Sequence, residues 1–372
     1  MGEPMMQNVR CALLAATVAA LAAGIARPAA AQRVGLEVLG DVEFWKTDAG
    51  SFLLKRNDGR AVGLARITSW LIVRPSSKTE IFVLGDLMRG TGTGDSLDGS
   101  LEQASIKYTA TRSFAVEAGK LLMPVGAFSA RRFSYLNPLI GSPDTYGTTY
   151  PLGAEVSGAI GTFDYRAAIV DLPSVNERYV PRPGRALRPA AAVGVTLGPG
   201  LRLGASATRG PYLRSDLAAA LPAGAGWESY KETVVGLEGR YTGGYLEARA
   251  EVIWSSYQVP TFPDAVDGLG AYAELRLTAS PRVFVATRLE RNRYAFVSPA
   301  GGTAWRGSSR TVYNGELGAG YRLTPDFLLK TSIRLDQWPG PSPPTFPLPD
   351  GYAFAVQLSY RADLLGMFAK KY

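Results

Sequence analysis

The 372-residue chain has no histidine and a single cysteine. Without an imidazole there is no Ser-His or Asp-His hydrolase machinery, no histidine metal ligand and no phosphohistidine relay. Cys11 precedes an apolar run, and no second cysteine exists to close a disulfide with it. Charged residues make up only 19%, below the roughly 25% of an average soluble domain. After residue 26 no stretch of 18 apolar residues occurs, so the remainder holds no helical membrane span.

The start of the chain reads as an address. Arg10 supplies a basic flank, Cys11 to Ala26 is uncharged and apolar, and Ala29-Ala30-Ala31 offers small residues before Gln32. This is the pattern of a cleaved secretory signal peptide over 1–31. The apolar run is also short for a span of roughly 20 residues. Loss of Glu3, Arg10 and Arg27 lowers the net charge of +8 by one. An exported chain without helical spans is either soluble or a membrane β-barrel.

Apolar and polar residues alternate from Val34 almost to the end, the period of strands. In GYAFAVQLSYR, Tyr352, Phe354, Val356, Leu358 and Tyr360 share one face, and Ala353, Ala355, Gln357, Ser359 and Arg361 the other. DFLLKTSIRLDQW sets Lys330, Arg334 and Asp336 opposite Phe327, Leu329, Ile333 and Leu335. GYLEARAEVIW places Glu247, Arg249 and Glu251 opposite Leu246, Val252 and Trp254. GLGAYAELRLT and RVFVATRLERN put Tyr272, Glu274 and Arg276, then Arg288, Glu290 and Asn292, on the polar face.

A soluble sandwich alternates as well. Two features favour the membrane. Aromatic residues sit near strand ends on the apolar faces (Phe44, Tyr241, Tyr321, Phe327, Tyr352, Tyr360), as interfacial girdles require. Connections also alternate in length. Short turns fall at 75–78, 111–113, 161–162, 198–200, 242–244, 279–281 and 324–326. Long ones fall at 48–59, 90–100, 125–153, 172–188, 211–231, 257–267, 294–309 and 338–350. The layout predicts an all-β transmembrane antiparallel β-barrel over 32–372, of about 16 strands, with 14 and 18 as the neighbouring even counts. Strands of roughly 9–12 residues suffice to cross at a tilt. Since an open edge is untenable in lipid, the last strand must pair with the first, near Val34–Thr47. The tail from Asp363, DLLGMFAKKY, either extends the last strand or folds back.

A barrel of this width leaves an aqueous channel unless something enters it. The longest connection, 125–153, is rich in Pro, Gly and aromatics and carries Arg131 and Arg132. Loops of that length are usually functional. The stretch GKLLMPVGAFSARRFSYLNPL resembles the phosphate-selective porin family and related Gram-negative porins. The resemblance rests on Gly119, Lys120, Pro124, Gly126, Arg131, Asn137 and Pro138 over some twenty residues. It implies an inward-folding third loop that narrows a pore, with Arg131 and Arg132 at the constriction. The alternative for this pair is contact with lipopolysaccharide phosphates or with a loop carboxylate such as Asp144.

Arginine supplies 31 of the 40 basic residues, a side chain suited to phosphate and carboxylate contacts. The lumen charge candidates are Glu247, Arg249, Glu251, Glu274, Arg276, Arg288, Glu290, Lys330, Arg334 and Asp336. Opposite charges on neighbouring strands would pair across the wall. Arg178, Arg182, Arg185 and Arg188 gather in connection 172–188. They would raise local anion concentration at the mouth or grip lipopolysaccharide. GTGTGD lacks the strand-to-helix context of a phosphate loop, and Asp95 with Asp98 is a weak calcium signal. No nucleic-acid-reading motif accompanies the basic balance.

These features lead to the expectation of an outer-membrane porin for small anionic or neutral hydrophilic solutes. It would need no cofactor or metal, would contact outer-membrane lipid and lipopolysaccharide, and by analogy would form a homotrimer. The competing expectation is a structural or adhesive barrel whose loops bind partners. A barrel lipase or protease, the enzymatic option, would depend on a histidine base.

Overall fold

The computed structural model describes residues 33–90, 97–145, 149–171, 186–213, 215–340 and 348–365. The signal-peptide segment 1–31 lies outside them, as do Asp95, Arg178, Arg182, Arg185 and the tail beyond Leu365. No helix among the described residues is long and apolar enough to cross a membrane. Sixteen strands account for most of the rest. They are β1 (Arg33–Thr47), β2 (Val62–Arg74), β3 (Thr79–Arg89), β4 (Leu97–Thr111), β5 (Phe114–Lys120), β6 (Leu152–Ile160), β7 (Phe163–Asp171) and β8 (Leu187–Leu197). Then follow β9 (Leu201–Pro211), β10 (Lys231–Gly243), β11 (Leu246–Tyr257), β12 (Val266–Thr278), β13 (Val283–Gly301), β14 (Ala304–Arg322), β15 (Phe327–Gln337) and β16 (Gly351–Asp363).

Each strand pairs antiparallel with its neighbours in sequence, and β16 closes the ring on β1 with Glu43 opposite Gln357 and Glu37 opposite Asp363. Closure satisfies the edge backbone groups that lipid could not. The two faces separate as the alternation requires. Leu237, Leu289, Leu317 and Phe354 are exposed, whereas Glu274, Arg288, Glu316 and Lys330 on the other face are buried. The apolar face therefore points outward and the polar face into the barrel. The six girdle aromatics read from the sequence all lie on the exposed face.

All seven short turns fall between strands, and the long connections alternate with them. One expected long connection, 294–309, is instead strand. β13 and β14 run 19 residues each and meet at a tight turn, where Gly301 and Gly302 take φ of 116° and 56°. The Pro- and Gly-rich SPAGGT suggested a loop, but pairing continues through it with one bulge between Pro299 and Gly301. The extension has a packing reason. Trp305 is buried with Leu213, Leu221, Trp227 and Val259, and its indole N–H donates to Ala220 O at 2.8 Å. The hairpin thus props the connection between β9 and β10. Strand lengths of 7–19 residues also exceed the expected range at both ends.

Candidate functional site

The inner face of β11–β15 carries a row of alternating charge, because the register puts opposite signs side by side. Arg249 lies opposite Glu274, Glu274 opposite Arg288, Arg288 opposite Glu316, and Glu316 opposite Arg334. Arg288 is fully buried and bridges three carboxylates, at 3.2 Å to Glu274, 2.9 Å to Glu290 and 2.6 Å to Glu316. Arg276 and Arg249 pair with Glu247 at 2.9 and 3.0 Å, and Arg334 reaches Asp336 at 3.3 Å. Burying so much charge is tolerable only because each member has partners.

The connection between β5 and β6 meets this row. Amides of Ala127 and Phe128 donate to Glu251 at 2.9 and 3.2 Å. Gly141 N–H donates to Glu316 at 2.9 Å, and Asp144 N–H to Glu290 at 3.0 Å. Cations take the carbonyls. Arg288 donates to Gly141 O at 2.8 Å and Arg334 to Ser142 O at 2.8 Å, while Arg334 also pairs with Asp144 at 2.7 Å. Lys330 Nζ donates to Ser134 O, Asn137 O and Leu139 O at 2.9, 3.0 and 3.0 Å. Apolar contacts complete the fit, since Ile140 packs with Trp45, Leu64, Ala353 and Ala355. Trp70 meets Phe133 edge-on at 4.9 Å.

Gly126 shows how close the approach is. It sits at φ +75°, and a Cβ there would lie 2.5 Å from Glu251 Oε1. Of the other residues carrying the family resemblance, Pro124, Asn137 and Pro138 are buried. Asn137 donates to Gly141 O at 2.8 Å.

Arg131 and Arg132 are both on this connection and both occupied. Arg131 pairs with Glu274 at 2.9 Å and donates to Tyr272 at 3.1 Å. Arg132 reaches Asp86 at 3.3 Å and the Tyr150 hydroxyl at 3.1 Å. Burial works against both charges, but these partners outweigh it and raise both guanidinium pKa values. Asp144, suggested as their carboxylate, pairs with Arg334 instead. Arg188 belongs to β8, not to a loop, and is buried against Glu232 at 2.7 Å and Thr208 at 2.9 Å. Its side chain therefore faces no solvent at the mouth.

A cavity of about 300 Å³ lies between this connection and the wall formed by β1, β2, β15 and β16. Arg56, Arg66, Arg132, Lys330 and Arg334 line it, with Asp41, Glu43 and Asp144. Lys330, Arg132 and Arg334 are engaged as described. Arg56 and Arg66 have no ion-pair partner among the described residues, although Arg56 stacks over Trp45 at 4.3 Å. Burial lowers the Arg56 pKa, and the charge of Arg66 adds to the fall against the opposing pull of Glu43. Sequence reading missed both arginines. Arg66 was accessible through the alternation of Val62–Arg74, whereas Arg56 lies in a loop with no periodicity. Glu316 was missed too, although Glu316, Gly318 and Gly320 share the inner face. No group of three or more Cys, Asp or Glu among the described residues is placed to hold a metal ion.

No family model matches the chain, and no curated protein sequence matches it. Solved structures do match. The loop-L8 deletion mutant of OmpT, an outer membrane protein of Vibrio cholerae, is similar with 13% identity over 89% of this chain and 100% of that one, TM-score 0.61. OmpF of Salmonella typhi, in complex with daunomycin, gives 9% identity over 89% and 97%, TM-score 0.60. The anion-selective porin of Comamonas acidovorans gives 9% over 89% and 100%, TM-score 0.58. The chain has a porin-like barrel fold. At such identities the likeness extends to fold alone.

Proposed function

We propose that this protein is an outer-membrane porin, a passive channel for small hydrophilic solutes with a modest preference for anions. In this reading the connection 121–151 crosses the lumen, and solutes pass between it and the wall of β1, β2, β15 and β16. The observation that carries the reading is the cavity there, lined by two cations, Arg56 and Arg66, that form no ion pair among the described residues. A mobile anion would relieve their mutual repulsion, and a cation would add to it. Arg131 and Arg132 then act as struts that fix the narrow part, their charge being taken up by Glu274, Tyr272, Asp86 and Tyr150. The export signal, outer-membrane placement, contact with lipopolysaccharide and a homotrimer belong to the same proposal. One similar structure is a trimer form of OmpT, an outer membrane protein of Vibrio cholerae, at 12% identity over 89% of this chain and 100% of that one, TM-score 0.57.

The test is single-channel conductance of the refolded chain in a planar bilayer under a salt gradient. Open channels with a reversal potential on the anion side are expected. Arg56→Gln with Arg66→Gln should move it toward the cation side, and an unchanged reversal potential in the folded double variant would refute the reading. Silence from a folded, closed barrel would instead support the structural or adhesive role.

A further inference from the structure

Among the described residues, the outer face carries basic side chains only at a distance from the short turns. Lys46, Arg89, Arg209, Lys231, Arg291 and Arg293 share the face of exposed apolar neighbours such as Phe44, Leu87, Leu203, Leu237 and Leu289. Each lies eight or more residues from the short-turn end of its strand. Among the described residues, no basic side chain stands on this face closer than that to a short turn.

Arg291 and Arg293 form the tightest pair. They are two residues apart on β13, and both are exposed while Glu290 and Asn292 between and beside them are buried inward. Their cross-strand neighbours are Tyr313 and Thr311 on β14, and Ala271 and Leu269 on β12. None of these is an acid. Among the described residues neither arginine has an ion-pair partner, Asp267 on the same outward face of β12 included, and Arg293 donates to Ser309 at 2.8 Å.

Depth says what they meet. A tilted strand rises roughly 2.4 Å along the membrane normal per residue. Arg291 and Arg293 lie eight and ten residues above the start of β13, so about 19–24 Å up, at the far edge of an apolar band about 25 Å tall. Tyr313, directly opposite Arg291, and Trp254 on β11 are exposed aromatics at a similar height, the positions of an interfacial girdle. An unpaired guanidinium there needs an anion at headgroup depth, and its planar fork matches phosphate.

We propose that Arg291 and Arg293, with Arg209 and Lys231 four and three strands away, bind phosphate groups of a phosphorylated glycolipid in the leaflet on the long-loop side. This rests on the outer-membrane orientation proposed above, and it assigns residues to a lipid contact that Arg131, Arg132 and Arg188, paired inside the barrel, do not make.

The experiment titrates the refolded full chain in detergent with diphosphoryl lipid A, monophosphoryl lipid A and phosphatidylglycerol, and reads bound lipid by native mass spectrometry. Diphosphoryl lipid A is expected to bind at least about tenfold tighter than phosphatidylglycerol, with the monophosphoryl form between. Arg291→Gln with Arg293→Gln should weaken diphosphoryl lipid A about tenfold or more, and Arg291→Lys with Arg293→Lys should restore most of it. The electrophoretic shift of unheated against heated sample confirms folding, and Arg293→Gln alone replaces the double variant if that fails to fold. Unchanged affinity in the folded glutamine variant, or no preference over phosphatidylglycerol, overturns the proposal. Conductance of the same preparations in phosphatidylcholine bilayers separates the two readings. A wild type that conducts but shows no lipid preference ends this site alone, and one that binds but stays silent ends the pore alone.

Discussion

Lys330 is the anchor whose removal should be most informative. Its ammonium is fully buried and donates to three carbonyls of the long connection, Ser134 O, Asn137 O and Leu139 O. Lys330→Met keeps most of the stem's volume and deletes the three donors. Bonds from a charged donor are each worth about 1.5–3 kcal/mol net. Relief of the buried charge's own desolvation returns part of that, leaving a loss of about 3 kcal/mol. Since about 1.4 kcal/mol is a factor of ten, the opening equilibrium of residues 134–141 should rise about a hundredfold. The ladder of barrel bonds is untouched, so the loss should be local rather than global. Hydrogen exchange followed by mass spectrometry in detergent should show protection of peptides over 134–141 falling by about two orders of magnitude, with strands β7–β10 unchanged. If the proposed pore conducts, its open-channel current should become noisier. Wild-type exchange over 134–141 in a folded variant would refute the anchoring argument.

Other perturbations test the same architecture. Arg288→Met leaves Glu274, Glu290 and Glu316 facing one another and should cost about 3–5 kcal/mol, seen as lost refolding yield, with Glu316→Gln in the same chain recovering part of it. Gly126→Ala must place a Cβ against Glu251 at a positive φ, and should lower the denaturant midpoint by an equivalent of about 1–3 kcal/mol. Trp305→Ala removes the hinge of the cluster under the β9–β10 connection. It should cost about 3–5 kcal/mol locally, so limited proteolysis within 215–230 should accelerate while conductance stays at the wild-type value.

Much of the barrel was legible because alternation is a local signal. The outward and inward assignments of β11, β12, β13, β15 and β16 follow from period two alone, and so do the positions of Glu274, Arg288, Lys330 and Arg334. What those charges touch was not legible. Arg288 and Lys330 read as lumen charges that would pair with acids on neighbouring strands, yet their partners include carbonyls of Gly141 and Leu139, 147 and 191 residues away in the chain. Such contacts depend on the path of an aperiodic segment. The same holds for Arg131 and Arg132, where the sequence showed two cations in a loop but not the carboxylates of Glu274 and Asp86 that meet them. The β13–β14 hairpin was misread for a related reason. Its turn chemistry is local, but the support that extends it comes from Leu213, Trp227 and Val259.

The long connection also constrains the order in which the molecule can be made. Its residues are synthesised well before the strands that hold it, with sequence separations of 123 to 196 between bonded partners such as Phe128 and Glu251 or Lys330 and Ser134. Until β11–β15 exist, the amides of Ala127, Phe128, Gly141 and Asp144 lack the carboxylates they bond in the finished barrel. Those strands in turn bury Glu274, Glu290 and Glu316 only when the connection and Arg288 are in place. Contacts this distant are slow to form, because loop closure is paid in entropy before any of them is gained. Seating of the connection against Glu251, Glu290, Glu316 and Lys330 is therefore a late step, completed only when β11–β15 are in place.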